Sequence, residues 1–296
     1  MEQIITQTDL KEFPLFKRGK VRDIYDLGDK LLIIATDRIS AFDFVLPSSI
    51  PYKGKVLTQL SKFWFEFISP ICLHHLISTE VEDFPPQLLP CRDILEKRSM
   101  LVKKTKVIPI ECVVRGYLAG SGWKEYSATG RIGQITLPPG LKESAQLSSP
   151  IFTPTTKSEK GHDINISFQE MESLIGSKSA QQIKELSLII YQKALSYALS
   201  KGIIIADTKF EFGLLNDHLI LIDELLTPDS SRFWPKEKYS LGKSQPSFDK
   251  QFVRDYLEKT SWDKNSEPPP LPQEIIRKTS QKYLDALYIL TGKKKL

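Results

Sequence analysis

Asp207, Lys209 and Glu211 stand two apart in IIIADTKFEFG, and strand periodicity puts all three on one face. A second apolar run, Leu219 to Ile222, ends in Asp223-Glu224, and the turn formers Asn216-Asp217 between the runs predict an antiparallel hairpin. An odd-numbered loop, such as Asn216 to His218, sets Glu211 opposite Asp223. Carboxylates so placed repel, and a cation between them relieves the repulsion. A two-residue Asn216-Asp217 turn would instead send Asp223 to the other face. A solvated edge hairpin carries such charges too, but the apolar content of both strands predicts an internal one.

Two further clusters could receive anions. Gly19, in a loop with Lys17, Arg18, Lys20 and Arg22, precedes strands expected at 21–27 and 30–35; its N–H groups and cations could lie over polyphosphate, though a basic surface turn looks the same. A strand over 110–114 delivers Arg115, after which Gly116, Gly120 and Gly122 surround Ser121 at a helix start. A helix N-terminus with free N–H groups and an arginine favours an anion, and a plain glycine-rich turn is the alternative.

Around these, the pattern predicts helices over 56–68, 179–201, 247–259 and 272–291, and strands over 73–80 and 100–107. The aromatics Phe63, Trp64 and Phe67 read as packing. Turn chemistry fills 129–160, with prolines at 138, 139, 150 and 154, so a long functional loop is expected, with Lys157, Lys160, His162 and Asp163 as its reactive side chains.

The 296 residues suffice for two lobes; 41 basic against 36 acidic residues, net +5, suit anionic small molecules as well as nucleic acid. No stripe of alternating basic and aromatic residues favours an RNA binder. Cys72, Cys91 and Cys112 lack metal-ligand spacing and are expected as reduced thiols. With no signal-peptide pattern and no apolar span of membrane length, a soluble cytoplasmic protein is the expectation.

Taken together, Gly19-Lys20-Val21-Arg22, Glu111-Cys112-Val113-Val114-Arg115-Gly116-Tyr117, Gly120-Ser121-Gly122-Trp123-Lys124, Asp207-Thr208-Lys209-Phe210-Glu211-Phe212-Gly213 and the run from Asp223 to Trp234 resemble the phosphoribosylaminoimidazole-succinocarboxamide synthase (SAICAR synthetase) family, from about residue 16 to 292. Arg22 stands where many members have a second lysine, which keeps a cation there.

The resemblance implies an α+β fold in two lobes. The smaller, 1–107, would be a mostly antiparallel β lobe with the glycine-containing phosphate loop; the larger, 108–296, an α/β lobe with the metal hairpin; and ATP would lie in the cleft between them. It also implies a ligase that joins L-aspartate to the carboxylate of the imidazole ribonucleotide CAIR in purine synthesis, consuming ATP, through an acyl phosphate. A kinase of a small phosphorylated metabolite would need the same phosphate loop and metal hairpin but no amine site.

By resemblance, ATP meets Gly19, Lys20, Val21, Arg22, Lys103, Lys104, Glu211 and Asp223, the last two holding Mg²⁺. Lys209 contacts the transferred phosphoryl, and Asp207 positions Lys209 or touches a second ion. Arg115, Ser121 and Arg232 take the CAIR phosphate, Glu111 a substrate group or ribose. A loop over 152–163 closes over CAIR and aspartate with Lys157 and Asp163. The longer C-terminal part favours a monomer over a homodimer.

Overall fold

The computed structural model describes residues 3–156 and 164–296. Its N-terminal part opens with a hairpin of β1 (Leu15–Arg18) and β2 (Arg22–Asp26), so the Gly19 loop is a tight turn in which Gly19 N–H donates to the Arg22 carbonyl at 2.8 Å. Gly28, at φ 88°, turns the chain into β3 (Lys30–Ala35). A small hairpin, β4 (Arg38–Ala41) and β5 (Phe44–Ser49), turns through Phe42 and Asp43, both at positive φ as a short hairpin turn requires. Then come α1 (Lys53–Ile68), β6 (Leu76–Ser78), the single turn α2 (Arg92–Leu95) and β7 (Ser99–Lys103). Among the described residues five of these strands form an antiparallel sheet in the order β1-β2-β3-β7-β6, while β4 and β5 pair only with each other.

The second sheet begins at β8 (Lys106–Val107), which pairs with a later strand, three residues after the first sheet's last strand ends at Lys103. Next are β9 (Ile110–Tyr117), α3 (Gly120–Thr129), the short pair β10 (Arg131–Ile132) and β11 (Ile135–Thr136), β12 (Gln146–Thr156), α4 (Phe168–Ile175) and α5 (Ser177–Ser200). The chain continues through β13 (Ile203–Leu215), β14 (His218–Ile222), β15 (Ser231–Pro235), α6 (Gln251–Leu257) and α7 (Gln273–Thr291). The sheet runs β12-β9-β13-β14, with β15 and β8 also pairing β13. The fold is α+β, as expected.

Four sequence expectations change. The segment read as turn chemistry throughout contains the 11-residue β12. Its prolines are tolerated because β12 is an edge strand with a register shift between Gln146 and Ile151, so a missing N–H costs no ladder bond on the open side. The first five residues of the expected closing loop, 152–156, therefore belong to the sheet. Arg115 lies inside β9 rather than after it. The strand expected over 73–80 shrinks to β6. Finally, the β13–β14 turn is the two-residue one, Asn216 at φ 48° and Asp217 at φ 61°, so Glu211 pairs with Ile222 and not with Asp223. Asn and Asp enter the left-handed region more readily than other non-glycine residues, and that preference selects the turn.

The main core is continuous between the sheets. Val56, Leu60, Trp64 and Ile68 of α1 pack with Tyr283, Leu287 and Leu290 of α7, and with Ile190 and Ala194 of α5 under β13. Each helix carries apolar residues three or four apart on its inward face. The three cysteines are free thiols.

Candidate active site

The second sheet turns one face to a cavity of about 840 Å³. Asp207 stands opposite Arg115 and Lys209 opposite Val113; on the other side of β9, Val113 meets Thr153 and Glu111 meets Thr155. Cross-strand partners share a face, so Glu111, Arg115, Asp207 and Lys209 project together into this space. On the far side Val114, Phe210 and Phe152 are buried in the core, which fixes which residues face the cavity.

At one end two guanidiniums converge. Arg115 Nε donates to Thr153 Oγ1 at 3.1 Å, Nη1 to Asp207 Oδ2 at 3.3 Å and Nη2 to Ser121 Oγ at 3.4 Å. Arg232 on β15 donates from Nη1 to the same Asp207 oxygen. Asp207 is 4% exposed and holds Arg232 above its ordinary value, whereas burial keeps Arg115 below its own despite Asp207. Ser121 is the second residue of α3, whose N-terminus adds unpaired N–H groups. The three residues expected to take a phosphate are thus brought together. The partners of Asp207 are the two arginines, because its place opposite Arg115 in the ladder turns its carboxylate toward them.

Lys209 Nζ pairs with Glu111 Oε2 across the ladder. At the far end of the face, Arg22 Nη1 lies 2.5 Å from Asp223 Oδ1 and Nη2 lies 3.6 Å from Glu224 Oε1. Burial works to lower the Arg22 guanidinium, but Asp223, Glu224 and Glu211 outweigh it and hold it raised. Glu211 and Asp223 therefore bear on one cation despite the shifted register. Asp223 lies beyond the end of β14 at φ 68°, outside the pleat that would have sent it to the opposite face. Among the described residues no three His, Cys, Asp or Glu side chains could hold a metal ion by themselves. Asp223, which contacts the Arg22 guanidinium, and Glu211, whose charge also bears on it, are hard oxygen donors of the kind that would hold Mg²⁺.

The remaining expected residues are placed as follows. Lys20 lines the cavity and pairs with Asp43 at 2.6 Å. Val21 is buried, and its carbonyl accepts from Thr36 N and Oγ1. Lys103 is exposed at the end of β7, and Lys104 pairs with Asp26 at 2.7 Å while standing 5.7 Å above the Phe16 ring. Lys157, Lys160, His162 and Asp163 lie outside the described residues.

The sequence reading missed a second charged cluster on the cavity wall. Asp229 Oδ2 pairs with Lys53 at 2.7 Å and Lys250 at 3.3 Å, and Tyr283 donates its hydroxyl to Oδ1 at 2.7 Å. Burial works to raise the Asp229 carboxyl, yet Lys250 and Lys53 hold it well below the usual range. Neighbouring Asp249, which accepts from Phe233 N and Gln251 N, is lifted by burial to about 6. Asp229 does sit in the quoted run TPDSSRFW; nothing local marks Lys53, Asp249 or Lys250. His75 was missed as well. It is buried, its Nε2 lies 3.0 Å from the Asp223 carbonyl, and burial pushes its ring down to about 4.

The family model for SAICAR synthetase matches residues 15–269. A phosphoribosylaminoimidazole-succinocarboxamide synthase from Geotalea uraniireducens is 58% identical over 296 residues, covering all of both chains. One from Thermodesulfovibrio yellowstonii is 58% identical over 99% of this chain and 100% of its own. The SAICAR synthase of Saccharomyces cerevisiae, solved complexed with SAICAR, is 46% identical, covers 98% of this chain and 99% of its own, and superposes with a TM-score of 0.90.

Proposed function

Because the chain belongs to the SAICAR synthetase family, the ATP-dependent ligases that join L-aspartate to the carboxylate of CAIR in purine biosynthesis, we propose that the cavity over the β9–β13 face is where the two substrates react. The observation that carries the assignment is the order of charges on that face: a two-arginine clamp at one end, Lys209 in the middle, and the Glu211–Asp223 pair at the other.

Arg115, Arg232 and Ser121 bind the 5′-phosphate of CAIR, the guanidiniums contributing charge-assisted hydrogen bonds. Asp207 presents both guanidiniums to it. The substrate carboxylate then lies toward Lys209, whose ammonium leaves Glu111 to neutralise the γ-phosphoryl as it passes from ATP to a carboxylate oxygen, releasing ADP. The amine of L-aspartate attacks the resulting acyl phosphate, phosphate departs, and an amide and a proton remain. Such a path needs positioning and charge neutralisation rather than a protein nucleophile.

The Gly19 turn, with Lys20 and Arg22, covers the ATP phosphates, and adenine lies near residues 102–107 beside Lys103 and Lys104. Glu211 and Asp223 would hold Mg²⁺, which supplies charge neutralisation at the phosphates. Lys157 and Asp163 serve aspartate. The protein acts as a cytoplasmic monomer; no described helix is long and apolar enough to cross a membrane.

The test separates the two ends. Arg232→Ala should raise the KM for CAIR by roughly 10- to 100-fold, the loss of a charged hydrogen bond, while the KM for ATP holds. Glu211→Gln should abolish SAICAR formation with the fold intact by circular dichroism. An unchanged KM for CAIR in the first variant, or near-normal turnover at limiting Mg²⁺ in the second, removes the corresponding half of the assignment.

A further inference from the structure

His75 stands outside every motif of the site, yet it is joined to the turn that carries Asp223. Its amide donates to Leu221 O at 3.0 Å, and its own carbonyl accepts from Lys103 N at 2.8 Å, so its backbone is tied to β14 on one side and β7 on the other. The ring packs 5.4 Å from that of Phe65 and is buried. From this anchorage Nε2 reaches the Asp223 carbonyl at 3.0 Å. A carbonyl can only accept, so the hydrogen lies on Nε2.

Asp223 is a non-glycine residue at φ 68°, immediately past the last paired residue of β14. Left-handed backbone at such a residue persists where its surroundings over-determine it. The turn beyond is held separately: Leu225 N–H donates to Ser61 Oγ at 3.2 Å, and Thr227 Oγ1 to Glu224 Oε2 at 2.7 Å. The bond from His75 reaches the carbonyl of Asp223 itself.

We propose that His75 is a positioning residue for the metal-binding carboxylates: by fixing the Asp223 carbonyl it keeps Asp223 left-handed and its carboxylate beside Glu211. This rests on the reading of Glu211 and Asp223 as Mg²⁺ ligands. His75 touches no substrate, and its effect is confined to the ion's affinity and to whatever depends on the ion.

Three variants of the full chain test this. His75→Leu removes the donor, His75→Gln returns an N–H, and Asp223→Asn removes a ligand. Two quantities are read: the Mg²⁺ concentration giving half-maximal rate at saturating substrates, and Mn²⁺ bound in the presence of ADP, measured by electron paramagnetic resonance. Loss of a group that orients a metal ligand weakens the metal by about 10- to 100-fold, so both should shift by at least about tenfold in His75→Leu. The KM for CAIR should stay within about twofold, because the arginine clamp is untouched. His75→Gln should recover most of the loss. Normal metal dependence in folded His75→Leu overturns the proposal, as does an equal rise in the CAIR KM. Should His75→Leu not fold, His75→Asn, whose shorter amide falls short of the carbonyl, is read by the same criteria. Weak metal binding in Asp223→Asn beside normal binding in His75→Leu sinks the His75 inference alone. Normal binding in Asp223→Asn sinks the ligand reading and the inference with it.

Discussion

Replacing Asp207 by asparagine separates a residue that touches the reacting atoms from one that acts through its neighbours. Asp207 accepts from Arg115 and Arg232, whose side chains are 7% and 21% exposed. Without its charge, two largely buried guanidiniums lose the carboxylate they share, and only the more distant Glu125 and Asp249 bear on one each. Breaking a buried ion pair costs about 3–5 kcal/mol, and since asparagine retains an acceptor oxygen, a loss near the lower end, about 3 kcal/mol, is expected. In a chain of this size that lowers Tm by roughly 5 °C. A phosphate-bearing ligand should return part of the loss, because it supplies the missing negative charge, by about 2.7 kcal/mol at 100 times its Kd. The guanidiniums also lose their alignment. A charged hydrogen bond contributes about 1.5–3 kcal/mol, so the KM for CAIR should rise about 10- to 100-fold while kcat changes by less than about threefold. Steady-state kinetics with CAIR varied, beside thermal scans with and without CAIR, measure both. A fall in kcat of about a thousandfold at unchanged KM would refute the assignment of Asp207 to the arginines and return it to the reacting atoms.

Two other changes have definite signs. Gly120 opens α3 at φ 53°, and a Cβ there would run into the Arg232 guanidinium; Gly120→Ala should therefore raise the KM for CAIR well above its effect on that for ATP, and equal effects on both would count against the clamp. Asp249, lifted by burial to about 6 from 3.8, binds its proton more tightly folded than unfolded. The contribution of that proton is present in full below about pH 4 and is lost as pH rises through about 6, a change of about 3 kcal/mol. Asp249→Asn should thus gain stability relative to the parent between about pH 4 and 7 in denaturant titrations, and a difference independent of pH would show that Asp249 does not titrate as a buried acid.

Much of the site was legible because strand alternation is a local property. The two-residue spacing of Asp207, Lys209 and Glu211 put them on one face before any fold was known, and the glycines around Ser121 beside Arg115 singled out residues that the structure brings into contact. What failed was non-local or decided by backbone preference. Turn residues and prolines hid β12, since an edge strand accepts Pro150 and Pro154 where an interior one would not. The partner of Asp207 depends on how β13 is matched to β9, some ninety residues earlier, and no sequence pattern sets that register. Lys53 gave no sign that it would be wholly buried against Asp229, because the ion pair that makes its burial tolerable spans the chain.

The register of the β13–β14 hairpin carries the deeper consequence. With Glu211 opposite Ile222, strict alternation would leave Asp223 on the wrong face, and the hairpin alone could not assemble the carboxylate pair. What brings Asp223 round is a left-handed residue held from outside the hairpin. Arg22 from β2 takes its carboxylate and His75, ahead of β6, takes its carbonyl, while Ser61 of α1 holds the next turn. All three come from the first 103 residues, whereas Glu211 lies on β13 of the second sheet and Asp223 just past the end of β14. The acidic pair therefore exists only where the two sheets are docked. With Glu211 and Asp223 as the proposed Mg²⁺ ligands, changes at the sheet–sheet junction, far from any substrate atom, should register first in the metal dependence of the rate.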